Sequence, residues 1–121
     1  MARTLVAKTT LLGAYGTYTA GAADVVLAGA DLANKNYVVL EEGDIIIAYN
    51  TNVGAQTVTI DSVANEQGRT GDITAYSLAA GDIAVFGPFR FEGWRNATTG
   101  FLDLEASHAE VLLGVISGAA P

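Results

Sequence analysis

The chain has no cysteine, one histidine, one tryptophan and two prolines, and only six of its 121 residues are lysine or arginine. Without cysteine there is no disulfide staple, no thiolate metal site and no cysteine nucleophile. A single histidine beside no cysteine leaves no ligand set for zinc, copper or iron. Six bases argue against a nucleic-acid partner, because that affinity needs clustered Lys and Arg to displace counterions from phosphates. No run of about 20 apolar residues offers a membrane span. Charge of either sign is scarce: 16% of the residues carry it, against about a quarter in ordinary domains. The 13 acids still leave a net charge of −7. A lone domain covers its outside with charge, so a chain this poor in charge is expected to hide surface against a partner.

What is present suits one domain. Half of the residues are apolar, enough for one sandwich-sized core, and the length leaves no room for two full domains. The N-terminus imitates a leader, with Arg3 and Lys8 ahead of Leu11-Leu12 and small residues at Ala20-Gly21-Ala22. Gly13, Gly16 and three threonines interrupt the apolar stretch, so no cleaved leader is expected. The lack of cysteine fits folding in a reducing cytosol.

Short runs rich in Val, Ile, Thr, Tyr and Phe recur every 8 to 12 residues between Gly, Asn and Asp, the pattern of an antiparallel β-sandwich. The clearest is Gln56 to Ser62, where Val58 and Ile60 oppose Thr57, Thr59 and Asp61. Ile45-Ile46-Ile47 is continuous, which predicts a central strand covered on one face by the second sheet and on the other by another subunit. Further strands are expected at Thr4 to Lys8, Thr17 to Ala20, Val25 to Leu27, Tyr37 to Leu40, Ile73 to Leu78, Ile83 to Phe86, Phe101 to Glu105 and Val111 to Ile116, with a helical turn at Asp31 to Ala33. Residues 1–23 are expected to form an N-terminal arm and the first strands, and residues 24–121 the sandwich core. Asn50-Thr51-Asn52-Val53-Gly54 supplies residues that tolerate positive φ in a turn. The triplet Gly-Asp-Ile, at Gly43, Gly71 and Gly81, predicts a turn followed by a strand.

Few residues suggest chemistry. Ser107, His108 and Glu110 are too close in sequence to converge as a triad, whose members come from separate elements. Glu41, Glu42 and Asp44 lack the alternating spacing of a calcium loop, and solvated turn acids are expected. Gly13 to Gly16 and Gly68 to Gly71 lack the lysine or the strand-to-helix context of a phosphate loop. Asn96-Ala97-Thr98 is a formal glycosylation sequon. The aromatic stretch from Phe86 to Arg95 is the most distinctive. There Trp94 either plugs the open end of the sandwich or, with Arg95, anchors a sugar ring or a protein interface.

Asn50-Thr51 ahead of an alternating Thr/Val strand, Gly68-Arg69-Thr70-Gly71-Asp72-Ile73-Thr74, the Leu78-Ala-Ala-Gly-Asp82 turn, Phe86-Gly-Pro-Phe89 and Glu92-Gly93-Trp94-Arg95 resemble small β-rich proteins encoded among the head genes of tailed bacteriophages. The opening Met1 to Thr10 is similar too. Such proteins are typically head decoration, or cement, proteins. The resemblance implies an all-β sandwich, jelly-roll or β-tulip-like domain with an extended N-terminal arm. It also implies a homotrimer on the capsid exterior, the major capsid protein as partner, no catalysis and no cofactor. Localisation follows as the virion, and the host cytoplasm during assembly. Capsid or subunit contacts are carried onto Thr4, Leu5, Val6, Lys8, Thr10, Trp94 and Arg95. The alternative is a carbohydrate-binding sandwich module using Trp94 and nearby tyrosines, or a neck or tail protein. Deleting Met1 to Thr10 is expected to leave a folded core.

Overall fold

The structure is a computed structural model that describes residues 3–12, 16–63 and 71–118. Among these the chain is all-β, with β1 (Thr4–Leu5), β2 (Lys8–Thr10), β3 (Ala28–Gly29), β4 (Asn36–Val39), β5 (Asp44–Asn50), β6 (Gln56–Ile60), β7 (Ile73–Leu78), β8 (Ile83–Phe89), β9 (Phe101–Ala106) and β10 (Val111–Ser117). Two five-stranded sheets result. The first runs β1-β4-β9-β6-β7 and the second β2-β10-β5-β8, with β3 beside β10. The expected single-domain β-sandwich is what forms, and among the described residues no helix is long and apolar enough to cross a membrane.

Side-chain alternation decides which residues meet in the middle. In β6, Val58 and Ile60 are fully buried while Thr57 and Thr59 stay half-exposed. In β5, Asp44, Ile46, Ala48 and Asn50 point inward, and Ile45, Ile47 and Tyr49 point out. The core joins Val38, Val58, Ile60, Leu102 and Leu104 of the first sheet to Ile46, Phe86, Phe89, Val111, Leu113 and Val115 of the second. Each such side chain contributes about 1.5–3 kcal/mol relative to exposure. As its apolar run predicts, β5 is an interior strand, between β10 and β8.

The N-terminus departs from expectation. Thr4 pairs in parallel with Asn36, and Lys8 in parallel with Val115, so the sheets are mixed rather than purely antiparallel. The chain crosses from the first sheet to the second at Val6, which is 4% exposed in the core. β1 and β2 are therefore edge strands of the sandwich, in keeping with the strand expected at Thr4 to Lys8, and Val6 between them belongs to the core rather than to a free arm. The physical reason is that Thr, Leu and Val suit an edge strand as well as an arm. Thr17 to Ala20 and Val25 to Leu27 are not strands; β3 forms just after them. The edge of β10 away from β5 is shared by β3 at Leu112 and Leu113 and by β2 from Val115 onward, which leaves little ladder for longer partners. The turn expected at Asp31 is present, with Asp31 Oδ1 accepting the N–H groups of Ala33 and Asn34.

Aromatic pairs close the side opposite the N-terminal crossing. Tyr76 of β7 meets Phe86 of β8 edge-on, with ring centroids 5.2 Å apart, and Trp94 meets Phe89 at 4.8 Å. Pro88 follows a cis peptide bond on edge strand β8, where the register shifts between Asp44 and Ile46. An edge position needs no N–H from proline on its open side. Gly43 and Gly81 have the positive φ that the Gly-Asp-Ile turns call for, while Gly71 does not.

Candidate functional site

The residues that carry the phage resemblance hold the fold together. Asn50 is fully buried, and its Nδ2 donates to the carbonyls of Leu78 and Gly54. Its backbone N–H donates to Asp82 O, and its carbonyl accepts from Gly81 N. The Asn50-Thr51 and Leu78-to-Asp82 segments are thus one joint, to which Thr51 adds the Glu110 carbonyl. No residue from Asn50 to Gly54 takes positive φ. Instead Asn50 Oδ1 accepts from Asn52 N, and Asn52 Oδ1 accepts from Gly54 N, so side-chain amides shape the turn in place of left-handed backbone. The Gly68-Arg69-Thr70 part of the resemblance, the Gly13 to Tyr15 segment and residues 119–121 lie outside the described residues.

The seven residues expected at an interface divide into two kinds. Val6 is in the core and Lys8 is committed to the fold. The Lys8 ammonium donates to Val39 O at 2.7 Å, Glu41 Oε1 at 3.0 Å and Asp44 Oδ2 at 2.7 Å. Asp44 is completely buried, and its other oxygen has no partner among the described residues. Lys8 therefore compensates a carboxylate that water does not reach, and it ties β2 to the β4–β5 turn. This places Asp44 in a buried ion pair rather than in a solvated turn, while Glu41, which also pairs with Lys8, stays exposed at the turn. Thr4, Leu5 and Thr10 remain exposed, with the Thr4 hydroxyl donating to Asp31. That bond, followed by the Asn34 N–H, holds the Asp31 carboxyl below the usual carboxylate range.

Trp94 is half-buried against the core beside Phe89, the position expected of a plug. Arg95 is exposed, with its guanidinium 4.4 Å from the Phe91 ring centroid. His108 sits in a turn, where its Nδ1 accepts from Glu110 N at 3.0 Å. Ser107 Oγ instead donates to Gln56 Oε1, so these three side chains do not converge as a triad. Asn96 Oδ1 accepts from Thr98 N and Thr99 N, capping its own loop.

The outward faces of the two sheets are the most informative surfaces. In the second sheet, Leu112, Tyr49 and Ile83 stand side by side across β10, β5 and β8, and Gly114, Ile47 and Val85 form the next row. Ile116 and Ile45 continue it. None of these residues carries charge. Ile83 and Val85 are 61% and 64% exposed, and Leu27 lies over Gly114. The first sheet differs. Phe101, Asp103 and Glu105 of β9 face outward beside Thr57 and Thr59, with Arg3 on Asp103 and Lys35 on Glu105. Burial, and then the charge of Asp72, push the nearby Asp61 carboxyl up, while the Ser62 hydroxyl and amide pull Asp72 down. Sequence reasoning flagged the Ile45–Ile47 part of the apolar face but missed Ile83 and Val85. Their signal was the strand Ile83 to Phe86, in which no polar residue alternates with the apolar ones.

No protein family, no curated protein and no solved structure matches this chain.

Proposed function

We propose that the chain is a structural virion protein, a decoration or cement subunit that binds the outside of a tailed-phage head and stabilises it as a homotrimer. The observation that carries this is the division of its surface into one charged outer face and one uncharged apolar face. A subunit exposed to solvent on one side and to neighbouring subunits on another needs that division. The phage resemblance supplies the assembly, and its motif residues form joints such as Asn50 with Leu78.

Capsid contact is assigned to β1 and β2. Both are edge strands, so the Thr4–Leu5 and Lys8–Thr10 backbones are placed for a capsid strand to extend either sheet. Several such contacts made at once by a trimer multiply its hold on the shell. The test is to mix the purified protein with undecorated heads and count copies by cryo-electron microscopy and mass spectrometry. Saturation at a fixed ratio to the major capsid protein is expected; absence from heads and from virions would overturn the role.

A further inference from the structure

We infer that the uncharged face of β10, β5 and β8, with the Val25-to-Leu27 segment along its border, is where a second copy of this chain packs. The inference rests on reading the chain as an assembly subunit and names the surface by which it assembles. Three strands about 4.8 Å apart and seven residues long give a patch of roughly 14 by 23 Å, about 300 Å² in projection. This is in the range of the largest apolar patches on monomers, which are commonly functional. It is small against the ~800 Å² per partner of a stable pair, so the border must join it. Val25 and Val26 there are exposed, and Leu27 is seated on Gly114, which makes the border continuous with the face.

Charge identifies the occupant as a copy. The chain carries a net charge of −7, so two copies repel wherever their acids face one another. The rows Leu112-Tyr49-Ile83 and Gly114-Ile47-Val85 hold no acid, and the face is one on which copies can meet without that penalty. A basic partner would instead be met by carboxylates at the contact, and those lie on other surfaces, such as Asp103 and Glu105. Ile83 and Val85 on β8 are 61% and 64% exposed, so nothing among the described residues covers them.

The experiment measures solution mass by size-exclusion chromatography with light scattering, using the full chain at concentrations up to hundreds of micromolar. The wild type is expected at a multiple of 12.5 kDa. Ile83→Glu/Val85→Glu is expected at the single-chain mass with an unchanged circular dichroism spectrum, and Thr57→Glu, on the charged face, at the wild-type mass. Should the double variant fail to fold, Val85→Ser, which adds no charge, is expected to weaken association about tenfold. A monomeric wild type overturns the inference, as does wild-type association of the double variant or of Val85→Ser, or equal dissociation by Thr57→Glu. A chain that assembles through this face yet leaves heads bare keeps the inference and removes the decoration role. A wild type that is monomeric alone but needs Ile83 and Val85 to bind heads keeps the role and overturns the inference.

Discussion

On the outside of the first sheet, Asp103 and Glu105 are met by Arg3 and Lys35; on the outside of the second, Ile47 and Tyr49 stand between Val85, Ile83, Gly114 and Leu112. Both surfaces rest on the same pleated backbone and one shared core. Exposed ion pairs stabilise a fold by only about 0–1 kcal/mol each, so the charged face contributes chiefly solubility. The apolar face gains little until something covers it. The contrast shows that stability lies between the sheets, while the outer faces differ in what they present to their surroundings.

The largest expected effect breaks both faces together. Lys8→Met leaves Asp44 buried without its cation, and removing one partner of a buried pair costs about 3–5 kcal/mol. An unfolding free energy from urea titration lowered by that amount is expected, and an unchanged midpoint would show that the ammonium does not compensate Asp44. Gly114→Ala acts on the apolar face alone. A Cβ there would lie 2.9 Å from the Val26 carbonyl and 2.5 Å from Leu27 Cδ2, so the border segment must move, at a cost of about 1–3 kcal/mol. Faster amide hydrogen exchange between Asp24 and Leu27 is the accompanying sign.

Salt separates the faces without mutation. Raising sodium chloride screens repulsion between chains of charge −7, so association through the apolar face is expected to tighten in sedimentation experiments. Tightening that is absent, or reversed, would place ion pairs in the interface. The smallest effect belongs to the charged face. The folded-state pKa of Asp61 is raised, so its ionised form opposes folding once pH rises through that value. Asp61→Asn is expected to stabilise the protein by up to about 0.5 kcal/mol at neutral pH, and the gain should fade as pH falls through the ordinary Asp value of about 3.9, well below which Asp61 is protonated in both states. Asp31 and Asp72 work in the other direction. Their depressed values mean that stability present above the ordinary carboxylate pKa is lost as pH falls through the folded ones.

Much of the sandwich was legible because local alternation survives into the fold. Gln56 to Ile60, Ile73 to Leu78 and Phe101 to Glu105 are strands where period-two patterning places them. The N-terminal pairings were not legible, since Thr4 beside Asn36 and Lys8 beside Val115 are long-range parallel contacts that leave no local trace. Nor could composition show that Asn50 would bond across to Leu78 and Ala79. Of the candidate site, Trp94 was legible as a plug because the aromatic stretch around it is dense. Lys8 was misplaced because the buried Asp44 it serves looked like one more turn acid.

The parallel seam between β2 and β10 also sets the order in which the molecule can be completed. Val115 to Ser117 are synthesised about a hundred residues after their partners Lys8 to Thr10. During translation β2 waits for β10 until the residues between them have left the ribosome. Contacts this distant in sequence are associated with slow folding. Until β10 emerges, β5 is without one of its two neighbours and the seam from residue 8 to residue 115 stays open.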